Sequence, residues 1–248
     1  SNIDPSLVAI QGADFLYPKH HQQKHKKGDY IQMDLTFFET YLPIYFQGAG
    51  YTIGLSISAI VLGVILGTGL ALMKMSPNKF LSILANGYIQ IVRGTPLLVQ
   101  LFIIYYGLYV INIELPDFLS GVIAVSLNSA AYIAEIIRSG IQAVDKGQME
   151  AARSIGMSKS MAMQKIIYPQ AIKNILPALG NEFVTLIKET SIVSVLGLRD
   201  LMFAANTVRG ATFLPFGPLV VAAVMYFIMT SIVSKLVDIL EMRLKQSD

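Results

Sequence analysis

Five stretches of the 248-residue chain are apolar over the length a helix needs to cross a lipid bilayer, and this constrains the fold more than any other feature. The hydrocarbon layer is about 30 Å thick, so a spanning helix needs about 20 mostly apolar residues. Windows of that kind cover about 51–73, 96–111 extended backwards, 118–137, 177–196 and 217–237. In lipid every backbone polar group must be satisfied within the spanning structure, and runs of this length do so as helices. The expected fold is an all-α integral membrane protein with about five transmembrane helices. Hydrophobic residues make up 54% of the chain and charged residues 14%, a balance unlike that of a soluble domain. The absence of cysteine excludes disulfides, thiol catalysis and cysteine-based metal sites. The formal net charge of +3 says little about nucleic acid; the placement of charge matters more.

Residues 1–32 are polar, with Lys19, Lys24, Lys26 and Lys27 among His20, His21 and His25. This composition reads as a disordered arm. It has no apolar core, so it does not read as a signal peptide, and the first span can direct insertion itself. Residues 33–248 form one transmembrane domain in this reading. Leu35 to Phe46, interrupted by Pro43, is too short to span and reads as an interfacial segment. In the first span Ala59, Gly63, Gly67 and Ala71 recur every fourth residue, a row that lets helix backbones approach closely. Pro96 suits the first turn of the second span, and Tyr105, Tyr106 and Tyr109 form an aromatic belt at its far end.

Polar residues inside the spans mark candidate functional positions, because each is costly in lipid without a partner. Arg93 reads either as an anchor snorkelling to headgroups or as a contact to substrate or partner. Asn128, Tyr132 and Glu135 share one stripe of the third span, with Ser129 beside it. Glu135 is either a pathway carboxylate or half of a structural pair with Arg138, three residues on. The fourth span is the most polar: Asn181, Thr185, Lys188 and Ser191 lie on one side, and Glu182 and Glu189 adjoin them.

Between the third and fourth spans lies a polar stretch, Gln148 to Pro169, reading QMEAARSIGMSKSMAMQKIIYP. Glu150-Ala151-Ala152-Arg153 is expected to open a short helix with the acid in its first turn, where the helix dipole favours it. Gly156 breaks that helix, Ser158 caps a second, and Pro169 ends or bends the second. The stretch resembles the EAA loop of ABC-importer permeases: Glu150, Ala151 and Ala152, then Gly156, Ile166 and Pro169, stand at that loop's spacing. The family usually has Leu before the proline, where this chain has Tyr168. Met33-Asp34-Leu35, the run Arg93-Gly94-Thr95-Pro96-Leu97-Leu98-Val99-Gln100, and Lys188-Glu189-Thr190-Ser191 resemble the polar amino acid branch of that family.

The resemblance implies the membrane subunit of an ATP-driven importer of polar amino acids in the bacterial cytoplasmic membrane. Implied partners are cytoplasmic ATP-binding cassette subunits, a second permease subunit, identical or related, and an extracytoplasmic substrate-binding protein. ATP and magnesium would sit on the ATP-binding subunits; the chain has no Gly-Lys-Ser or Gly-Lys-Thr phosphate loop of its own. Glu150, Ala151, Ala152, Arg153 and Gly156 would couple to those subunits. Asn128, Ser129, Glu135, Thr185, Lys188, Glu189 and Arg93 would line the substrate path, with no catalytic or metal-binding set. Placing the loop inside puts the C-terminus inside and the N-terminus outside. It also puts Lys74, Lys79, Arg93, Arg138 and the loop's lysines inside, against Arg199 and Arg209 near spans outside, in keeping with the positive-inside rule. Alternatives are an importer subunit for another small solute, a stand-alone secondary transporter, for which no internal repeat is evident, or a membrane scaffold.

Overall fold

The structure, a computed structural model, describes residues 35–245; the lysine- and histidine-rich arm lies outside the described residues. Those described fold into helices joined by short turns: α1 (Leu35–Lys74), α2 (Lys79–Gly94), α3 (Leu97–Val110), α4 (Asp117–Gln142), α5 (Lys146–Ser154), α6 (Lys159–Ala162), α7 (Tyr168–Glu189), α8 (Leu201–Thr212) and α9 (Gly217–Lys245). A π turn over Met163–Ile167 joins α6 to α7, and a 3₁₀ turn over Thr190–Leu196 follows α7. The all-α expectation holds. Three helices, α1, α4 and α9, are individually long and apolar enough to cross a membrane.

Helix α4 is the centre, and more of its apolar window is buried than in the other two long helices. It runs parallel to α1: Tyr51 stacks edge-on against Phe118, and farther along Gly63 and Gly67 meet Ser129, Ala130 and Ile133. The small-residue row of α1 faces this contact, and Ala59, Gly63, Gly67 and Ala71 are all buried. A Cβ added at Gly67 would stand 2.8 Å from Ile133 and 2.9 Å from the Ala130 carbonyl oxygen. Backbones pack this closely only where side chains are absent, which is how helices associate in lipid without a hydrophobic drive between them. Leu55, Leu101, Val125, Leu186 and Leu198 fill the central core from α1, α3, α4, α7 and the link before α8.

Three expectations on segment boundaries change. Leu35 to Phe46 is not a separate interfacial piece, because α1 runs unbroken through Pro43. Tyr45 is fully buried with Leu201, Ala205 and Val208 of α8, and its hydroxyl donates to the Pro218 carbonyl at 2.8 Å. A buried aromatic anchor outweighs the one hydrogen bond a proline removes. The second apolar window does not extend straight backwards either: α2 and α3 meet at 110°. Ser82 bonds the Lys74 carbonyl, Ile89 packs with Ala131 and Ala134, and Arg93 comes within 3.9 Å of Glu135. Both ends of α2 therefore stay near the Lys74 end of the bundle, and α3 alone makes the return to Asp117.

The fourth window begins nine residues earlier than expected, at Tyr168, and Pro177 lies inside the helix. The segment after it forms a helix, α8; Asp200 caps it by accepting from the amides of Phe203 and Met202. Helix α9 then returns, with Val237 against Gly180. The chain changes ends five times, through α1, α3, α4, α7 with α8, and α9. Lys74, the C-terminal ends of α4 and α9 and the α5–α6 hairpin share one end; Asp117, α8 and the start of α9 share the other.

Candidate functional site

The hairpin between α4 and α7 projects from one end of the bundle. Asp145 caps α5, accepting from the Gly147 amide at 2.7 Å. The helix thus starts four residues before Glu150, which sits in its second turn and not its first. The C-terminus of α5 closes with the Gly156 amide bonded to the Arg153 carbonyl and the Met157 amide to the Ala152 carbonyl, each at 3.1 Å. That double bond pattern needs a left-handed residue after the cap, and Gly156 has φ +91°. The Arg153 guanidinium braces the same turn by donating to the Met157 carbonyl at 2.8 Å. Ser158 caps α6 by accepting from the Met161 amide. Pro169 does not end the helix here: the π turn before it shifts the hydrogen-bond register, and Pro169 falls in the first turn of α7, where its missing N–H is tolerated.

Glu150, Ala151, Ser154 and Ile155 face outward from α5, while Ala152 is buried against the hairpin. Ile155 is 80% exposed. An acid, a small residue, a hydroxyl and an aliphatic side chain make an outward face of mixed chemistry on a helix whose start and finish are both fixed.

The intramembrane candidates separate into three groups. Asn128 is buried and donates to Gln100 Oε1 at 2.8 Å, tying α4 to α3. Ser129 is buried and donates to Glu182 Oε1 at 2.9 Å, tying α4 to α7. Glu135 is the hub of a charge cluster. Its Oε2 accepts from Arg138 Nε and Nη2 at 3.1 and 2.9 Å, and its Oε1 pairs with Lys74 Nζ. Arg93 stands 3.9 Å from Oε2 and over the Tyr132 ring, 5.4 Å from its centroid. The third group lies at the end of α7: Lys188 and Glu189 are exposed and Thr185 is half-buried, with Asn181 exposed on the same face. They stand where α7 tightens into the 3₁₀ turn, with α8 still to carry the chain onward.

Sequence reasoning missed Lys74 as a partner of Glu135, Gln100 as the partner of Asn128, and Glu182 as the partner of Ser129. A polar group inside an apolar segment flagged one side of each pair, and in Glu182 the other side too; nothing in the local pattern said which groups would meet. Asp145 could have been found, since Asp before a helical pattern is a standard cap.

The comparisons fit this architecture. The family model for the binding-protein-dependent transport system inner membrane component matches residues 59–246. The chain belongs to this family. It is a multi-pass inner membrane transport component, a permease subunit and not itself a catalytic one. The putative glutamine transport system permease protein of Rickettsia bellii is 46% identical over 199 residues, 80% of this chain and 91% of that one. The arginine transport system permease protein of Bacillus subtilis is 40% identical over 219 residues, 87% of this chain and all of that one. Among solved structures, an amino acid ABC transporter crystallised with histidines shares 49% identity at a TM-score of 0.82, covering 86% of this chain and all of that one. The methionine ABC transporter MetNI in an inward-facing conformation, at 15% identity and a TM-score of 0.71 over 83% of this chain, shares the fold.

Proposed function

We propose that this permease subunit carries polar amino acids across the bacterial cytoplasmic membrane, driven by ATP hydrolysed on a partner subunit. The observation that carries the coupling role is the outward face of α5, fixed at both ends and projecting from the bundle. Two ATP-binding cassette subunits, holding the ATP and magnesium, dock on the hairpins of two permease subunits. Glu150 offers a charge-assisted contact to a basic group of the partner, and Ala151 and Ile155 seat against its surface. Arg153 and Gly156, themselves exposed, fix the turn beside this face, and Ala152 fills the hairpin core. When ATP draws the partners together, α5 moves with them and the bundle rocks as a rigid body. The hairpin faces the cytoplasm and, with it, the C-terminus; the N-terminal end of α1 faces outward, where a substrate-binding protein delivers ligand.

The substrate path in this reading runs along the α7 face. Glu189 meets the ligand's ammonium, Lys188 its α-carboxylate, and Thr185 adds a hydrogen bond. An exposed charge in a spanning segment needs a partner group or water, and a path shared with a second permease subunit supplies both. Asn128, Ser129 and Glu135 support this path from behind, since their polar atoms are committed to Gln100, Glu182 and the cation cluster. The relatives named for glutamine and arginine transport favour an amino acid over another small solute.

The test uses the purified complex of permease and ATPase in proteoliposomes. Glu150→Lys is expected to abolish solute-stimulated ATP hydrolysis and co-purification of the ATPase. Lys188→Ala and Glu189→Ala are expected to lower uptake while leaving co-purification intact. Normal uptake by both α7 variants would remove that face from the path, and normal co-purification by Glu150→Lys would remove α5 from the docking role.

A further inference from the structure

The cluster around Glu135 is unbalanced. Lys74, Arg93 and Arg138 bring three positive charges to a single carboxylate. Arg138 is held in two hydrogen bonds to that carboxylate, and Lys74 in one. Arg93 is different: its guanidinium makes no hydrogen bond among the described residues, its side chain is 45% exposed, and its approach to Glu135 is long at 3.9 Å. It lies over Tyr132 at the edge of a depression of about 480 Å³ lined by Lys74, Gln90, Gly94 and Tyr132. A planar fork with unused donors, backed by a second cation, is suited to a carboxylate or phosphate oxyanion.

The rest of α2 selects between sources of that oxyanion. Ala85 and Ile89 are buried against the bundle. Lys79, Ser82, Asn86, Gln90 and Arg93, spaced three or four apart, make one polar line along the helix. Beside that line runs an open apolar face of Phe80, Ile83, Leu84 and Ile91, each more than half exposed. Helix α2 lies across the Lys74 end of the bundle instead of spanning. Such a helix, apolar on one free edge and polar on the next, sits at the boundary between headgroups and acyl chains. We propose that the Arg93–Lys74–Tyr132 depression binds the phosphate of an anionic phospholipid, whose acyl chains run over Ile83 and Phe80, the exposed apolar residues that adjoin the polar line. A free anion would use the cations and leave this apolar edge without a role; a lipid uses both.

The test is native mass spectrometry of the intact permease–ATPase complex released from nanodiscs of equal phosphatidylcholine and phosphatidylglycerol. The wild-type complex is expected to retain phosphatidylglycerol over phosphatidylcholine. Arg93→Gln is expected to lower that retention about fivefold, the weight of one basic residue at a lipid surface; Arg93→Lys, keeping charge but not the fork, falls between. A second variant, Phe80→Ser with Ile83→Ser, changes no charge and also weakens retention. Unchanged retention in Arg93→Gln overturns the proposal. So does displacement of the bound lipid by inorganic phosphate or by a free amino acid, which would make the site one for a soluble oxyanion. Both outcomes leave the docking role of α5 untouched, because the variants lie outside the hairpin.

Discussion

Substitution of Gly156 separates backbone geometry from packing in the coupling hairpin. Its φ is +91°, and a Cβ placed there meets nothing within 4 Å. Any loss on substitution is therefore the cost of a left-handed backbone in an L-residue, about 1–2 kcal/mol, with no steric addition. Asparagine tolerates that region better than alanine, and a β-branched valine tolerates it worse. One or two kcal/mol corresponds to a factor of about 5–30 in a two-state population, here the fraction of hairpins holding α5 at its docking angle. The assay is solute-stimulated ATP hydrolysis by the reconstituted complex, titrated with ATPase subunit so that weak docking shows as a raised midpoint. The expected order is Gly156 best, then Asn, Ala and Val. The thermal unfolding of the bundle is expected to stay where it is, since the residue touches no core. Equal activity for Gly156 and Gly156→Val would refute the reasoning, and so would a loss that ignores the Asn–Ala difference.

Two other variants probe the bundle. Gly67→Val puts atoms into the 2.8 Å gap to Ile133, and overpacking there is expected to cost about 1–3 kcal/mol, read as a lower unfolding temperature. Ile133→Ala in the same chain removes Cγ2 but leaves the Cβ and the Ala130 carbonyl in place, so it should restore a fraction of it; no recovery would mean that those remaining atoms carry the strain. Asp200 is fully buried and accepts from two α8 amides and from the Tyr226 hydroxyl at 3.2 Å. Asp200→Ala takes the carboxylate acceptor from all three donors and should cost about 2–4 kcal/mol, a lost cap plus a phenol without its acceptor. Asp200→Asn keeps an acceptor and should cost less, so equal melting of the two variants would remove the capping argument.

Some elements were legible from residue order because their causes are local. The row Ala59, Gly63, Gly67 and Ala71 reads as a close-packing surface, and it packs against α4. Ser158 is followed by its helix, and Gly156 stands at the turn where φ must be positive. The boundaries read less well where tertiary contacts outbid a local signal. Pro43 suggests a break in α1, yet burial of Tyr45 against α8 holds the helix through it. The window around Arg93 suggests a longer second span, yet the Gly94-Thr95-Pro96 corner turns the chain by 110°.

The candidate site divides in the same way. Hydropathy marks Asn128, Ser129, Glu135, Lys188 and Glu189 as out of place in lipid, because the transfer cost of a polar group depends on the group and its segment alone. Whether such a group is paired depends on which other helix passes within hydrogen-bonding distance. Glu135 meets Lys74 from 61 residues away, and Ser129 meets Glu182 from 53. Residue order by itself determined that this chain enters a membrane as helices and carries a capped hairpin between two of them, since propensity and solvation act within a few residues. The tertiary structure alone decided which charges are hydrogen-bonded to each other and which, like Arg93, keep their donors unused, since a pair is made by proximity between helices that are distant along the chain.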